Sequence, residues 1–142
     1  MTAGPLIRFR RLRAGQRRLL MKASILLGVA SAAVALLPFR FAIRFGCVPL
    51  RSRRGRGSEQ ADILWAVRAA AQRLPWRTMC IEKGVVAQRM LRSSGVEAIL
   101  HYGARHDPLF GRLEAHVWVS VGGAAVIGGE EAAGFREIAA FP

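Results

Sequence analysis

The stretch CIEKGVVAQRMLRSSGVEAILHYGARHDPLFGRLEAHVWVSVGG, residues 80–123, decides how this chain is read. It opens on Cys80 and reads as a helix to about Ser93, with Thr78 as a candidate cap and Gly95 as a C-terminal stop. Val96–Tyr102 then reads as a strand, and residues 103–113, with Gly103, Asp107, Pro108 and Gly111, as a loop. Ala115–Val121 alternates as a second strand. Gly122-Gly123 is a tight-turn signal, and Ala124–Ile127 returns as the hairpin partner. A helix followed by a small antiparallel sheet makes the fold class α+β.

Working outward on the N-terminal side, Ser58 is a plausible N-cap, and Glu59 and Asp62 suit the positive end of a helix. Ile63, Ala66, Val67, Ala70 and Leu74 give that helix an apolar stripe, and Pro75 closes it. Residues 49–58 carry Gly, Ser and Arg without an apolar period and read as a linker. Before it, Gln16–Leu37 has helical composition, Pro38 ends or kinks it, and Phe39–Phe45 makes a second short helix. The organisation expected is a basic N-terminal helical region (1–48), a linker (49–58) and a C-terminal helix-and-sheet domain (59–142). On the C-terminal side, the tail through Phe135 and Phe141 is expected to pack on the core.

Charge follows the same division. The chain has 142 residues, 22 Lys+Arg against 9 Asp+Glu, and a net charge of +13. Residues 1–57 hold 13 of the basic residues and no acid, so the remainder is formally neutral. A 52% apolar content excludes a chain that is disordered throughout. Residues 23–39 are uncharged, but seventeen residues sit at the short limit for a membrane span, and Ala and Gly pack well against protein. A buried or surface-associated helix is preferred here to an anchor or a signal segment. The Arg-rich run at 51–56 lacks interleaved aromatics for base stacking. It is read as a solvated linker, and no nucleic-acid partner is expected.

Only Cys47 and Cys80 are present, too few for a disulfide framework and without zinc-finger spacing. Reducing cytoplasm is the simpler home. Cys80 at a helix N-terminus meets the positive end of the dipole and unpaired N–H groups, which stabilise a thiolate. His116, presented from a neighbouring strand, can hold the proton and deliver it to a leaving amine. Glu82, one turn into the helix, would oppose the thiolate if it pointed inward and is expected to face solvent. His101, on a strand, and His106, in the loop beside Asp107, compete for the base role.

Residues 80–104 and 113–123 resemble the transglutaminase-like cysteine peptidases of lasso-peptide biosynthesis. In that family a Cys opens a helix that ends in a Gly turn, and Ala-His-Ala-Trp-Val-Glu leads into a second Gly turn. Ala115, His116, Trp118, Val119 and Gly123 match, whereas Val117 and Ser120 stand in place of the usual Ala and Glu. Leu74, Pro75, Trp76 and Arg77, the Ala/Leu-rich first helix and the Pro38-Phe39-Arg40 segment are also similar. The resemblance implies a transglutaminase/papain-like core with Cys80 as nucleophile and His116 as general base and acid. It implies removal of a leader from a ribosomally made precursor, with no metal or organic cofactor. Its implied partners are the precursor leader, a small leader-binding protein and an ATP-dependent, asparagine-synthetase-like cyclase. Such enzymes commonly orient the imidazole with an Asp, and none follows Asp107. Glu130, a backbone or amide group, or no third member at all fills that role. The alternative from another class is a non-catalytic basic module that docks on anionic lipid or nucleic acid.

Overall fold

The computed structural model describes residues 10–52 and 57–142, the side chains of Gly57 and Ser58 apart. In chain order it contains α1 (Ala14–Leu36), α2 (Phe39–Gly46), α3 (Gly57–Arg73), α4 (Cys80–Ser93), β1 (Ala98–Asp107), β2 (Arg112–Val121), β3 (Ala124–Ile127), α5 (Gly129–Ala132) and β4 (Arg136–Phe141). The strands form one antiparallel sheet in the order β3-β2-β1-β4. This is the α+β arrangement expected, with the N-terminal helix added.

Helix α4 is the centre of the molecule. Val85, Val86, Ala87, Met90 and Leu91 are all buried. It approaches the sheet closely at Gly84, where a Cβ would lie 2.8 Å from Val117 Cγ1 and 3.2 Å from Leu100 Cδ1. A side chain there would push the helix off the sheet. Its other sides carry the N-terminal helices. α1 buries Leu20, Ala23, Leu27 and Ala30, at steps of three and four residues, and α3 buries Ile63, Ala66, Val67 and Ala70. Pro38 ends α1, as its missing N–H and fixed φ require, and stands as N-cap of α2. Arg89 and Arg92 of α4 donate to the carbonyls of Phe45 and Val48 at 2.8 and 2.7 Å, tying the last turn of α2 and the segment after it to the core.

Three expectations change. Residues 103–113 are not an open loop: β1 runs on to Asp107 and β2 starts at Arg112. Gly103 belongs in the strand because Trp118 covers it, and a Cβ there would come 2.8 Å from the indole. The Asp107 carboxylate accepts the N–H groups of Leu109 and Phe110, and Gly111 takes φ +62°, so four residues close the hairpin. The tail is also more ordered than packing alone requires, since β4 pairs with β1 as an edge strand. Buried Gln88 holds its end by donating from Nε2 to the Phe141 carbonyl at 2.7 Å. Finally, the N-cap of α4 is Met79 rather than Thr78. Helix α3 starts at Gly57, so Ser58 lies inside it and not at the cap position expected, and residues 53–56 of the linker fall outside the described residues.

Candidate active site

Cys80 is the first residue of α4 and is half-buried as a free thiol. Helix geometry leaves the N–H groups of Cys80 and Ile81 without intrahelical acceptors. The Met79 N–H is different: it donates to Glu82 Oε2 at 2.6 Å. Glu82 is therefore 5% exposed and turned back over the helix start, contrary to the solvent-facing position expected of it. The reason is local. A Glu three residues after the cap can reach the cap N–H, and that charge-assisted bond outweighs exposure.

His116 lies on β2. Val117 and Val119 face α4, so alternation puts His116, Trp118 and Ser120 on the opposite face of the sheet. β3 pairs only with Val119–Val121, which leaves β2 without a partner on that edge at His116. The imidazole is 6% exposed, packed between Trp118 (ring centroids 6.1 Å) and Phe135 (5.0 Å). Nε2 lies 2.7 Å from the Gly128 carbonyl oxygen. A carbonyl only accepts, so Nε2 is the donor, and in the neutral tautomer compatible with this bond Nδ1 is the nitrogen that can accept a proton. The nearest carboxylate to Nδ1 is Glu131 Oε2, at 3.9 Å.

Cys80, His116, Glu130 and Glu131 line one cavity of about 990 Å³ that opens along this edge of the sheet. The volume is at the upper end of the range of ligand-binding clefts. Cys80 and His116 both line the cavity, and no hydrogen bond joins them. Glu130 is in the wall, but the recorded partner of the ring is the Gly128 backbone.

The competing histidines are placed elsewhere. His106 is exposed near the end of β1 and does not line the cavity. His101 has both ring nitrogens engaged, Nδ1 with Glu137 Oε2 at 2.8 Å and Nε2 with Ser120 Oγ at 2.7 Å. It stacks in parallel on Trp118, with centroids 5.4 Å apart. This Ser–His–Glu chain has the connectivity of a hydrolytic triad, but Ser120 is 7% exposed and none of the three lines the cavity. It is a polar brace on the sheet. Cys47, the other thiol, is pushed up in pKa by burial, an effect that neighbouring Arg92 partly offsets.

A cysteine at a helix N-terminus, followed by a strand-borne histidine on an antiparallel sheet, is the layout of one large family. The family model of the transglutaminase-like superfamily matches residues 23–140. The chain belongs to the transglutaminase-like superfamily. The match begins inside α1, so the superfamily domain takes in N-terminal helices as well as the sheet. Members of this superfamily are generally cysteine peptidases or acyl transferases in character. No curated protein and no solved structure matches the chain significantly.

Two features of this transglutaminase-like site escaped the sequence. The Gly128 carbonyl as partner of the ring has no side-chain signature. Phe135 contacts the ring from a tail with no clear period.

Proposed function

We propose that this protein is a cysteine endopeptidase that removes the leader from a ribosomally synthesised lasso-peptide precursor before macrocyclisation. The observation that carries the reading is that Cys80, opening α4, and His116, whose Nε2 is held by the Gly128 carbonyl, line the same cavity. The likeness of residues 80–104 and 113–123 to leader peptidases narrows the substrate.

Substrate binding brings the thiol and imidazole into contact, since catalytic hydrogen bonds commonly tighten only in the complex. Nδ1 of His116 takes the Sγ proton, and the thiolate attacks the scissile carbonyl at the end of the leader. The Cys80 and Ile81 N–H groups suit the oxyanion that forms. His116 returns the proton to the leaving amine of the core peptide, leaving the leader as a thioester on Cys80. Water, deprotonated by Nδ1, hydrolyses the thioester and restores the thiol. An amine in place of water would make the same site a transamidase. The Gly128 carbonyl holds the ring through these steps, with Glu130 and Glu131 supplying negative charge nearby. A small leader-binding protein would present the precursor, and an ATP-dependent cyclase would consume the freed core, in the cytoplasm.

The test is incubation of the purified protein with its precursor and leader-binding protein, read by mass spectrometry. Free leader and free core, formed at one bond, are expected. An intact precursor under conditions where the leader binds would contradict the reading.

A further inference from the structure

The outer face of α1 is the least expected surface of the molecule. Its inner face is in the core, with Ala23 and Leu27 fully buried. Met21, Ile25, Val29 and Leu36 are 56, 64, 47 and 81% exposed, and Ala32 and Ala35 between them are exposed too. These positions recur at helical spacing, and no charge interrupts them from Lys22 to Arg40. A helix face turned to water is ordinarily polar, so this stripe calls for a covering partner. The patch continues into Leu37, Phe39 and Phe41, at 50, 42 and 41% exposure. Trp76, 43% exposed, is fastened beside it by Nε1 donating to Ser31 Oγ at 2.9 Å. Its amphipathic ring suits a boundary between water and lipid.

Charge selects the partner. Arg10, Arg11, Arg13, Arg18 and Lys22 are exposed at one end of the stripe, and Arg40 and Arg44 at the other. The first 57 residues carry no acid to neutralise them. An apolar strip bracketed by cations, on a helix whose opposite face is committed to a protein core, matches an anionic bilayer surface. A helix that spanned would have to carry Leu20, Ala23, Leu27 and Ala30 out of that core and into lipid.

We propose that this face is a peripheral membrane-docking surface, with α1 lying in the interfacial plane of an anionic bilayer. Met21, Ile25, Val29 and Leu36 enter the acyl boundary, and the flanking arginines meet lipid headgroups. The inference does not depend on what the cavity cleaves.

The experiment is flotation of the full chain with phosphatidylglycerol/phosphatidylcholine vesicles and with pure phosphatidylcholine vesicles. Binding to the anionic vesicles, release by alkaline carbonate, and a drop of at least roughly tenfold in partitioning for Ile25→Glu/Val29→Glu are expected. Arg10→Gln/Arg11→Gln/Arg13→Gln/Arg18→Gln should weaken binding to anionic vesicles and leave the small neutral-vesicle binding unchanged. Circular dichroism checks that the variants fold. Should the double Glu variant not fold, Val29→Trp replaces it, and brominated lipid should quench its added fluorescence. Failure to float, unchanged flotation of the Glu variant or an unquenched Val29→Trp would overturn the proposal. So would resistance to carbonate, which marks a span. A lipid-free dimer that Ile25→Glu/Val29→Glu dissociates would assign the stripe to a second copy instead.

Discussion

The Nε2 of His116 stands 2.7 Å from the carbonyl oxygen of Gly128, and this single bond determines which nitrogen of the ring can act as a base. Gly128 takes φ +69°, and a Cβ on it would lie 2.8 Å from the Val117 carbonyl and 3.3 Å from His116 Nε2. Gly128→Ala should therefore cost about 1–2 kcal/mol from its left-handed backbone alone, and more from the contact with Val117. It should also cut peptide cleavage on the order of a hundredfold by displacing the ring. Thermal unfolding and steady-state cleavage measure the two effects separately. Glu130→Ala and Glu131→Ala should stay within a few-fold of the parent, because the backbone, and not either carboxylate, holds the ring.

Cys80 should react with iodoacetamide much faster than Cys47 near neutral pH. Burial raises the Cys47 pKa, so its thiolate is scarcer at a given pH than in an ordinary cysteine, and its alkylation should accelerate only as pH rises above the usual thiol range. Cys80 has the helix start and the cavity. Peptide mapping after timed alkylation reads both rates, and a faster Cys47 would count against the assignment.

Glu82→Ala should lower stability by about 1–2 kcal/mol, since the buried carboxylate accepts the Met79 N–H and closes the first turn beneath Cys80. Glu82→Gln should recover part of this loss, as an amide oxygen also accepts. Cleavage should fall with Glu82→Ala beyond what the unfolded fraction explains, because the same turn positions the nucleophile. Chemical denaturation, paired with activity below the transition, separates the two effects.

His101→Ala is expected to cost about 1–3 kcal/mol by leaving the buried Ser120 hydroxyl without its partner, while keeping most of the cleavage activity. His106→Ala, at an exposed site outside the cavity, should change neither measurably. A loss of activity in His101→Ala comparable with that of His116→Ala would mean that the brace on the sheet is chemical and not structural.

Short-range chemistry made much of this molecule legible. The helix from Cys80 to Ser93, the Gly122-Gly123 turn with φ of +58 and +83°, and the return strand from Ala124 to Ile127 follow from local periodicity and glycine alone. What stayed hidden depends on partners distant in the chain. Gly103 looks like a loop residue until Trp118 is laid over it. The tail segment from Arg136 to Phe141 becomes a strand only against β1. Ser120, His101 and Glu137 join only once the register of three strands is known. Glu82 is the reverse case: its bond to the Met79 N–H is local, three residues away, and outweighs the solvent-facing position that repulsion from a thiolate would favour.

The central claim is that one thiol and one imidazole divide the chemistry at the edge of this sheet. Leader release from the precursor, in the presence of the leader-binding protein, should be compared for the parent, Cys80→Ala, His116→Ala and the double variant. Each single substitution should abolish cleavage with folding and precursor binding retained, and the double should be hardly worse than either, since neither role survives without the other. Cleavage by His116→Ala at the parent's rate, or a Cys80→Ala protein that still releases leader, would contradict the account.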